Sequence, residues 1–358
     1  MAAAPRDKIP VTVLTGFLGS GKTTVLSHLI RQPTLSNAAV IINEFGEISL
    51  DHHLVERTDG DVFEIQGGCL CCTVRGDLVA ALRKLTERRQ SGAIKPFDRV
   101  VIETTGLADP APILHTLTND PLAFTFYRLD GIVTTVDAVN GAATLATHPE
   151  ALKQAVVADR LLLTKLDLAD GKALRARLGE LAPGARIVEA RHGAVDPALV
   201  FDVGPFDPAA KPAQVTEWLR AEAYDRGHEH HGHHHHDVNL HDGGRHDADI
   251  RAFCFTWDKP ITRMRLQFFT QLLSMMRGPD LLRVKGIVNV SDRPDQPAVI
   301  HGVQHVFHPL AWLSAWPDAD RRTRIVFIVR DIAPRQIEEL MASLTDESAV
   351  PEVADATA

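Results

Sequence analysis

The 358-residue sequence lacks the features of a membrane protein or of a protein that binds polyanions. No apolar run approaches the roughly 20 residues that a membrane-spanning helix needs. There is no block of basic residues, and the formal net charge of −8 argues against a nucleic-acid or anionic-lipid surface. The opening residues, MAAAPRDKIP, contain no long apolar core of a secretory signal. We therefore expect a cytoplasmic protein whose partners include neither nucleic acid nor membrane.

Cysteine is also scarce, with four residues in the whole chain. Three of them fall within positions 69–72, which suits a shared metal ion better than long-range disulfides and agrees with a reducing compartment. The fourth, Cys254, stands alone in an alternating strand pattern. We expect Cys254 to belong to a hydrophobic core.

The first 200 residues alternate apolar runs with helix-like stretches. Near-continuous apolar runs separated by helices are typical of a parallel sheet that is covered on both faces. The sequence therefore predicts an α/β domain over residues 8–205 with a mostly parallel sheet. Its strands are predicted at residues 11–15, 38–43, 99–104, 131–137, 160–165 and 185–190.

The composition changes after residue 205. Residues 206–249 read as a linker, because nine of the 18 histidines lie between 226 and 247 without apolar periodicity. This tract could bind Zn²⁺, Ni²⁺ or Co²⁺ loosely through neutral imidazole. Residues 250–345 predict a smaller α+β domain, with a half-buried strand at 250–257 followed by a helix over 261–277. Residues 346–358 are expected to form a frayed tail.

Three further histidines lie in the strands and loops of this smaller domain, at positions 301, 305 and 308. They are spaced irregularly along the pattern. We expect them to have scattered packing and surface roles and not to form a second metal site.

A phosphate-binding motif, G-x-x-x-x-G-K-[ST], spans Gly16 to Thr23. An apolar strand precedes it and a helical pattern follows it, which is the context that the motif requires. Glycines let backbone N–H groups point at phosphates, and the helix N-terminus adds its dipole. Lys22 is expected to reach the β- and γ-phosphates, and the Thr23 hydroxyl to ligate Mg²⁺. The residues predicted to bind the phosphates are Gly16, Gly19, Ser20, Gly21, Lys22, Thr23 and Thr24.

An acidic partner for Mg²⁺ is expected at the end of another strand. The apolar run before Glu103 ends at that residue, so Glu103 could hold the ion through a water. The alternative is an ordinary surface carboxylate at a strand end. The predicted catalytic residues are thus Lys22, Thr23 and Glu103, while Glu47 and Glu103 are the candidates for orienting the attacking water.

A base-reading motif is indicated by TKLD at residues 164–167. Many GTPases have Asn-Lys-x-Asp at this place, after a late strand whose carboxyl end faces the ligand. The Asp167 carboxylate can accept both the N1–H and the exocyclic amine of guanine, and the Lys165 stem can pack along the base. Thr164 stands where asparagine is usual, and its hydroxyl is a smaller hydrogen-bonding group. The pattern favours GTP over ATP.

The cysteine cluster reads C-x-C-C and is preceded by two glycines that permit a sharp bend. Soft thiolates select Zn²⁺ or Cu(I) over Mg²⁺. Three local ligands leave one coordination position open, which suits a site that gives up its metal. A buried cysteine patch or a redox site is the alternative. The proposed metal ligands are Cys69, Cys71 and Cys72, with Glu47, His52 and His53 as candidates for the fourth.

Taken in order, these motifs resemble the CobW-type GTPases, which are relatives of the nickel chaperones UreG and HypB. The resemblance rests on GFLGSGKTT (16–24), INEFGE (42–47), GGCLCC (67–72), ETTGLADP (103–110) and ADRLLLTKLD (158–167). The segment 250–345 resembles the CobW C-terminal domain. The resemblance implies a P-loop NTPase domain that hydrolyses GTP with Mg²⁺, Zn²⁺ or a similar ion at the C-x-C-C loop, and delivery of that metal to a client protein. Two residues depart from the family pattern, Ile42 where some relatives have glutamate and Thr164 where asparagine is usual.

The placement of the motifs suggests a link between nucleotide and metal. The NEFGE segment follows the second strand, where the switch regions of P-loop GTPases lie, and the cysteines come shortly afterwards. We expect GTP to order these loops into a metal-holding form and hydrolysis to release them. Three other functions stay open: a histidine-rich zinc buffer with incidental nucleotide turnover, a cobalt-delivery factor for cobalamin synthesis, and a small-molecule kinase. The client, the physiological metal and the formation of a homo-oligomer also stay open.

Overall fold

The computed structural model describes residues 8–44, 62–66, 73–202, 250–278 and 280–345. The strands of the first domain are β1 (Ile9–Gly16), β2 (Ala38–Glu44), β3 (Val62–Gln66), β4 (Arg99–Glu103), β5 (Tyr127–Asp137), β6 (Arg160–Thr164) and β7 (Arg186–Ala190). Its helices are α1 (Lys22–Ile30), α2 (Thr73–Gln90), α3 (Ala111–Asn119), α4 (Pro121–Phe126), α5 (Gly141–Thr147), α6 (Pro149–Val156) and α7 (Lys172–Leu181). None of the helices within these ranges has the length and apolarity to cross a bilayer.

The seven strands form one parallel sheet in the order β3-β2-β4-β1-β5-β6-β7. The predicted α/β class and the six predicted strands are confirmed. The strand β3 was missed. Its sequence, VFEIQ, is interrupted by a glutamate, so it lacks the continuous apolar run that marks the buried strands. Among the described strands, β3 is the outermost on its side of the sheet and pairs with β2 alone.

Both faces of this sheet are covered by helices, which explains the continuous apolar runs. Val13 and Ile41 pack on one face with Leu82 of α2. Leu14, the residue after Val13, packs on the other face with Leu26 of α1. Successive side chains of a strand point to opposite faces, so a strand buried on both sides must be apolar at every position.

The strand order places several loops at one edge of the sheet. Strands β2, β3 and β4 lie on one side of the central strand β1, and β5, β6 and β7 lie on the other. The direction in which successive strands are added to the sheet therefore reverses next to β1. Ligands of open α/β sheets bind outside the carboxyl ends of the strands at such a point. The loops that follow β1, β4, β6 and β7 all leave from this edge, which we call the nucleotide edge.

The C-terminal domain is a six-stranded antiparallel sheet with two helices. Its strands are β8 (Ile250–Trp257), β9 (Leu281–Val288), β10 (Ala298–Val303), β11 (Val306–Phe307), β12 (Ala311–Trp312) and β13 (Thr323–Arg330), and its helices are α8 (Arg263–Arg277) and α9 (Pro334–Thr345). The strand order is β11-β10-β9-β13-β8, with β12 paired to β10. The predicted strand at 250–257 is confirmed, and the predicted helix over 261–277 begins two residues later than expected.

Aromatic residues of β8 form one side of the C-terminal core. Phe253 and Phe255 are buried against Phe269 and Leu273 of α8. Cys254 points to the opposite face of the strand and is half-buried. Cys254 is therefore less buried than the predicted core residue, because β8 is the outermost described strand on its side of the sheet.

A buried charge cluster joins the two domains. Asp159 lies just before β6, and its Oδ1 accepts hydrogen bonds from Arg283 Nη2 and Lys285 Nζ of β9, both at 2.5 Å. Its Oδ2 accepts the backbone N–H of Ile132 at 2.8 Å. Burial alone would raise the pKa of Asp159, but the charges of Lys285 and Arg283 outweigh it and hold that pKa well below its usual range. Removing one partner of such a buried pair costs about 3–5 kcal/mol, because it leaves the remaining charge buried and unpaired.

Two histidines of the C-terminal domain complete this cluster. His301 is buried, and its ring stacks on that of His308 with a centroid separation of 5.2 Å. The predicted packing and surface roles describe these residues: His301 of β10 and His308, which follows β11, pack together near the interface, and His305 is exposed. Burial, reinforced by the charge of Lys285, lowers the pKa of His301 well below its ordinary value. Burial also lowers the pKa of His308 to about 3.

These depressed pKa values predict a loss of stability in mild acid. An unfolded imidazole with a pKa of about 6.5 takes up a proton below that pH, whereas folded His308 stays neutral. The contribution of His308 is therefore complete above pH 6.5 and is lost as the pH falls towards 3. From pH 7 to pH 5 this amounts to about 2 kcal/mol of unfolding free energy for His308.

Urea unfolding at both pH values measures this loss, and the His308→Gln variant is the control. The variant keeps a polar side chain but cannot take up a proton in this range. We expect the difference in unfolding free energy between pH 7 and pH 5 to be smaller in the variant by about the same 2 kcal/mol. An unchanged difference would show that His308 titrates equally in both states.

Candidate nucleotide site

The loop between β1 and α1 requires glycine at two places in particular. Gly16 has φ 143°, and a Cβ there would lie 2.3 Å from Thr135 Oγ1, so no side chain fits. Gly21 has φ 92° and is the left-handed residue at the N-cap of α1. Gly19 also has a positive φ. A run of such residues ending at a helix N-terminus forms the concave set of N–H groups that binds phosphate.

The Lys22 side chain folds back over this loop. Its Nζ donates to the Gly16 carbonyl oxygen at 2.8 Å and to that of Phe17 at 3.1 Å, and the residue is buried. The ammonium group is thus held at the loop where the phosphates are predicted to bind. Ser20 is also buried, with its Oγ 2.6 Å from Thr135 Oγ1, while Thr24 is exposed.

Thr23 and Glu103 come together as the sequence predicts for a Mg²⁺ site. Thr23 Oγ1 donates to Glu103 Oε1 at 2.7 Å, and Glu103, the last residue of β4, is only 3% exposed. The alternative of a surface carboxylate is therefore wrong. A hydroxyl and a carboxylate are the hard oxygen ligands that Mg²⁺ prefers, so the two residues fit this ion.

The predicted base-reading residues follow β6 at the same edge. Thr164 Oγ1 donates to the Ser20 carbonyl oxygen at 2.7 Å, which ties β6 to the phosphate loop. Lys165 has a left-handed backbone, with φ 56°, and its Nζ lies 3.8 Å from Asp137 Oδ2. Asp167 Oδ2 lies 3.6 Å from His192 Nδ1. The hydroxyl of Thr164 therefore makes a contact to the phosphate loop, even though it is shorter than the amide of asparagine.

Sequence reasoning missed two polar residues beside this motif. Asp137 is the last residue of β5, and its Oδ1 accepts the N–H groups of Val139 and Asn140 at 3.0 and 2.7 Å. His192 follows β7 with φ 51°. A carboxylate at the carboxyl end of a parallel strand was the available signal for Asp137. His192 offered only a short turn sequence, because its approach to Asp167 depends on the pairing of β6 with β7.

The predicted metal ligands Cys69, Cys71, Cys72 and Glu47, together with His52 and His53, lie outside the described residues. Within the described ranges no group of three or more potential metal ligands is placed to hold an ion. The chain on both sides of the cysteines is described, however. β3 ends at Gln66, paired with Glu44 of β2, and α2 begins at Thr73.

The register shows where the cysteine segment leaves the sheet. Glu64 of β3 pairs with Ile42 of β2, which pairs with Glu103 of β4, so the three residues form one row across the sheet. Two strand spacings separate Glu64 from Glu103, about 10 Å. Because the strands are parallel, Gln66 lies two residues further towards the nucleotide edge. Cys69 follows only three residues later.

Family models match both domains of the chain. Residues 10–189 match the model described as CobW/HypB/UreG, nucleotide-binding domain, and residues 250–345 match the cobalamin synthesis protein cobW C-terminal domain. The zinc chaperone YjiA of Escherichia coli is 31% identical over 339 residues, which cover 94% of this chain and 99% of that protein. The zinc chaperone CobW of Pseudomonas aeruginosa is 31% identical over 363 residues, covering 91% and 88%.

Solved structures agree with this relationship. The crystal structure of Zn(II)-bound YjiA GTPase from E. coli is similar with a TM-score of 0.66 at 28% sequence identity, over 94% of this chain and 99% of that one.

The zinc-regulated GTPase metalloprotein activator 1 of Schizosaccharomyces pombe is 37% identical over 200 residues, covering 53% of this chain and 47% of that protein. The chain therefore belongs to the CobW/HypB/UreG family and carries the CobW C-terminal domain.

Proposed function

We propose that this protein is a metallochaperone that hydrolyses GTP, binds Zn²⁺ at its C-x-C-C segment and delivers the ion to a client metalloprotein in the cytoplasm. The observation that carries the proposal is the common edge: the strand before the cysteines ends on the side of the sheet where Thr23 contacts Glu103. The relatives named as zinc chaperones and GTPases support the same class of function.

The phosphate loop accounts for the nucleotide half of the function. Backbone N–H groups of the glycine-rich turn bind the phosphates, and Lys22 places its ammonium against the charge that builds on the leaving phosphate. Thr23 and Glu103 would hold Mg²⁺, which neutralises phosphate charge when bound. Asp167 and Lys165 bind the guanine base. We expect slow intrinsic turnover, because no arginine finger is identifiable in the sequence.

The cysteine segment accounts for the metal half. Thiolates of Cys69, Cys71 and Cys72 bind a borderline or soft ion, and Glu47 supplies a fourth ligand. Zn²⁺ is the cargo that the relatives' names favour, while Co²⁺ and Ni²⁺ are the competing ions. Because only three ligands come from the short cysteine segment, the fourth position, held by Glu47, is the one that a client ligand can take over.

Nucleotide and metal should influence each other's affinity. β3 ends at Gln66, close to the row of paired residues that contains Glu103. A bound γ-phosphate can therefore influence the loop that follows β3 and the loop that follows β4. We expect Zn²⁺ to bind about 5–150-fold more tightly with a non-hydrolysable GTP analogue than with GDP, which corresponds to about 1–3 kcal/mol of coupling. Titration of Zn²⁺ against a chelating dye in the presence of each nucleotide measures the ratio. Equal zinc affinities in the two nucleotide states would remove the coupling from the proposal.

A further inference from the structure

We propose that the hairpin between β10 and β11 positions the GTP-hydrolysis site, with Gln304 as its positioning residue. This hairpin belongs to the C-terminal domain, yet it contacts the loop 104–110 that directly follows Glu103. The inference rests on the GTPase activity of the family and extends it to a residue far from the phosphate motif.

The loop 104–110 contacts the end of β1 and the phosphate-binding loop that follows it. Thr104 Oγ1 donates to Thr15 Oγ1 at 2.8 Å. At Gly106 a Cβ would lie 2.6 Å from the backbone nitrogen of Leu18, so the two loops are in direct backbone contact. A shift of loop 104–110 would therefore displace the phosphate-binding loop and the end of β4 that carries Glu103.

The middle of the loop is held within its own domain. Gln154 of α6 is fully buried, and its Nε2 donates to the carbonyl oxygens of Ala108 at 2.9 Å and Gly106 at 3.2 Å. A buried amide that satisfies two loop carbonyls restricts where this segment can move. The loop is thus tied at its start and middle to elements of the first domain.

The end of the loop is held from the other domain. Asp109 Oδ1 accepts the backbone N–H of Ala111 at 3.0 Å, at the start of α3. Its Oδ2 accepts a hydrogen bond from Gln304 Nε2 at 2.9 Å. Lys153 Nζ is also near this carboxylate, at 3.8 Å. Gln304 is therefore the point at which the C-terminal domain holds the loop.

The conformation of Gln304 is unusual for its residue type. It is the first residue of a two-residue hairpin turn and has φ 52°, in the left-handed region that favours glycine or asparagine. A Cβ atom makes this conformation unfavourable, and residues kept in such conformations concentrate at functional sites. The amide of Gln304 reaches Asp109, whereas glycine at this position would leave Asp109 without this contact.

The hairpin also packs against the first domain through buried apolar side chains. Val303 and Val306, on either side of the turn, are buried in the same cluster as Leu114 and Leu117 of α3. On its other side the turn is held by Ser274 of α8, whose Oγ donates to the His305 carbonyl oxygen at 2.7 Å. A movement of the C-terminal domain would therefore be transmitted to Asp109 and to the loop behind Glu103.

The test is the Gln304→Gly variant in the full-length protein. Glycine relieves the left-handed backbone but removes the amide, so the melting temperature should stay close to that of the wild type. We expect kcat for GTP hydrolysis to fall about tenfold, while the affinity for GDP, measured with a fluorescent GDP analogue, stays within about twofold, because the amide positions the loop and does not bind nucleotide. Asp331→Gly is the matched control: it relieves a left-handed residue, with φ 54°, that is exposed in the same domain.

A double-variant cycle separates positioning from general damage. Asp109→Ala removes the other partner and also an acceptor at the start of α3, so it should lower kcat at least as much as Gln304→Gly. Adding Gln304→Gly to Asp109→Ala should then change kcat no further. An unchanged kcat in Gln304→Gly, or equal losses in Asp331→Gly, would overturn the inference. Wild-type turnover in the same assay tests the GTPase activity itself, so the two failures are distinguishable.

Discussion

Replacing Lys22 by alanine should reduce GTP turnover to less than about one thousandth of the wild-type rate, a loss of about 4 kcal/mol of transition-state stabilisation. The ammonium group is buried and held by the carbonyl oxygens of Gly16 and Phe17, at the loop that is shaped to bind phosphate. No other lysine lies within this motif. Release of phosphate from GTP, measured under single-turnover conditions, gives the rate.

Lys95→Ala is the matched control for this experiment. Lys95 is exposed and precedes β4, so it lies towards the amino ends of the strands, away from the nucleotide edge. Its removal should leave turnover unchanged. Wild-type turnover in Lys22→Ala would mean that the nucleotide binds elsewhere on the molecule, and it would remove the basis for assigning Thr23 and Glu103 to Mg²⁺.

Replacing the three clustered cysteines by serine should weaken zinc binding by at least about a thousandfold. Thiolates supply most of the binding free energy of such sites, about 10–16 kcal/mol for complete structural zinc sites. A serine hydroxyl stays protonated at neutral pH and is a poor ligand for Zn²⁺. Competition against a high-affinity chelator measures the affinity of Cys69→Ser/Cys71→Ser/Cys72→Ser against the wild type.

Cys254→Ser is the control, because Cys254 lies on β8 of the C-terminal domain. Its replacement should leave the tight zinc affinity unchanged. Deleting residues 228–246 tests the buffer alternative, since a chaperone keeps one tight site while a buffer loses most of its capacity. If tight Zn²⁺ binding survives the triple replacement but not the deletion, the metal site lies in the histidine tract. That result would contradict the chaperone proposal.

Local sequence was sufficient where the chemistry is contiguous in the chain. The phosphate loop occupies eight successive residues, and its glycines have the positive φ angles that the motif predicts. The six predicted strands appear because a strand buried on both faces needs an apolar residue at every position. β3 was missed for the same reason: an edge strand interrupted by a glutamate does not show this pattern.

The charged residues of β9 show where sequence patterns mislead. Arg283 and Lys285 alternate with apolar residues in LLRVKGIV, a pattern that indicates one face in water. Both are buried, because Asp159 of the other domain accepts their hydrogen bonds. Hydrophobic periodicity reports which positions share a face of a strand, but it does not report what covers that face.

The sequence by itself determined the family of the chain, its parallel sheet and the glycine-rich turn between β1 and α1, because each depends on short spacings or on local periodicity. Only the tertiary structure decided which distant groups meet. Glu103 reaches Thr23 across 80 positions of the chain, and Gln304 reaches Asp109 across 195. Such contacts depend on strand order and on the docking of two domains, and the free energy of those arrangements is spread over many residues that no short motif contains.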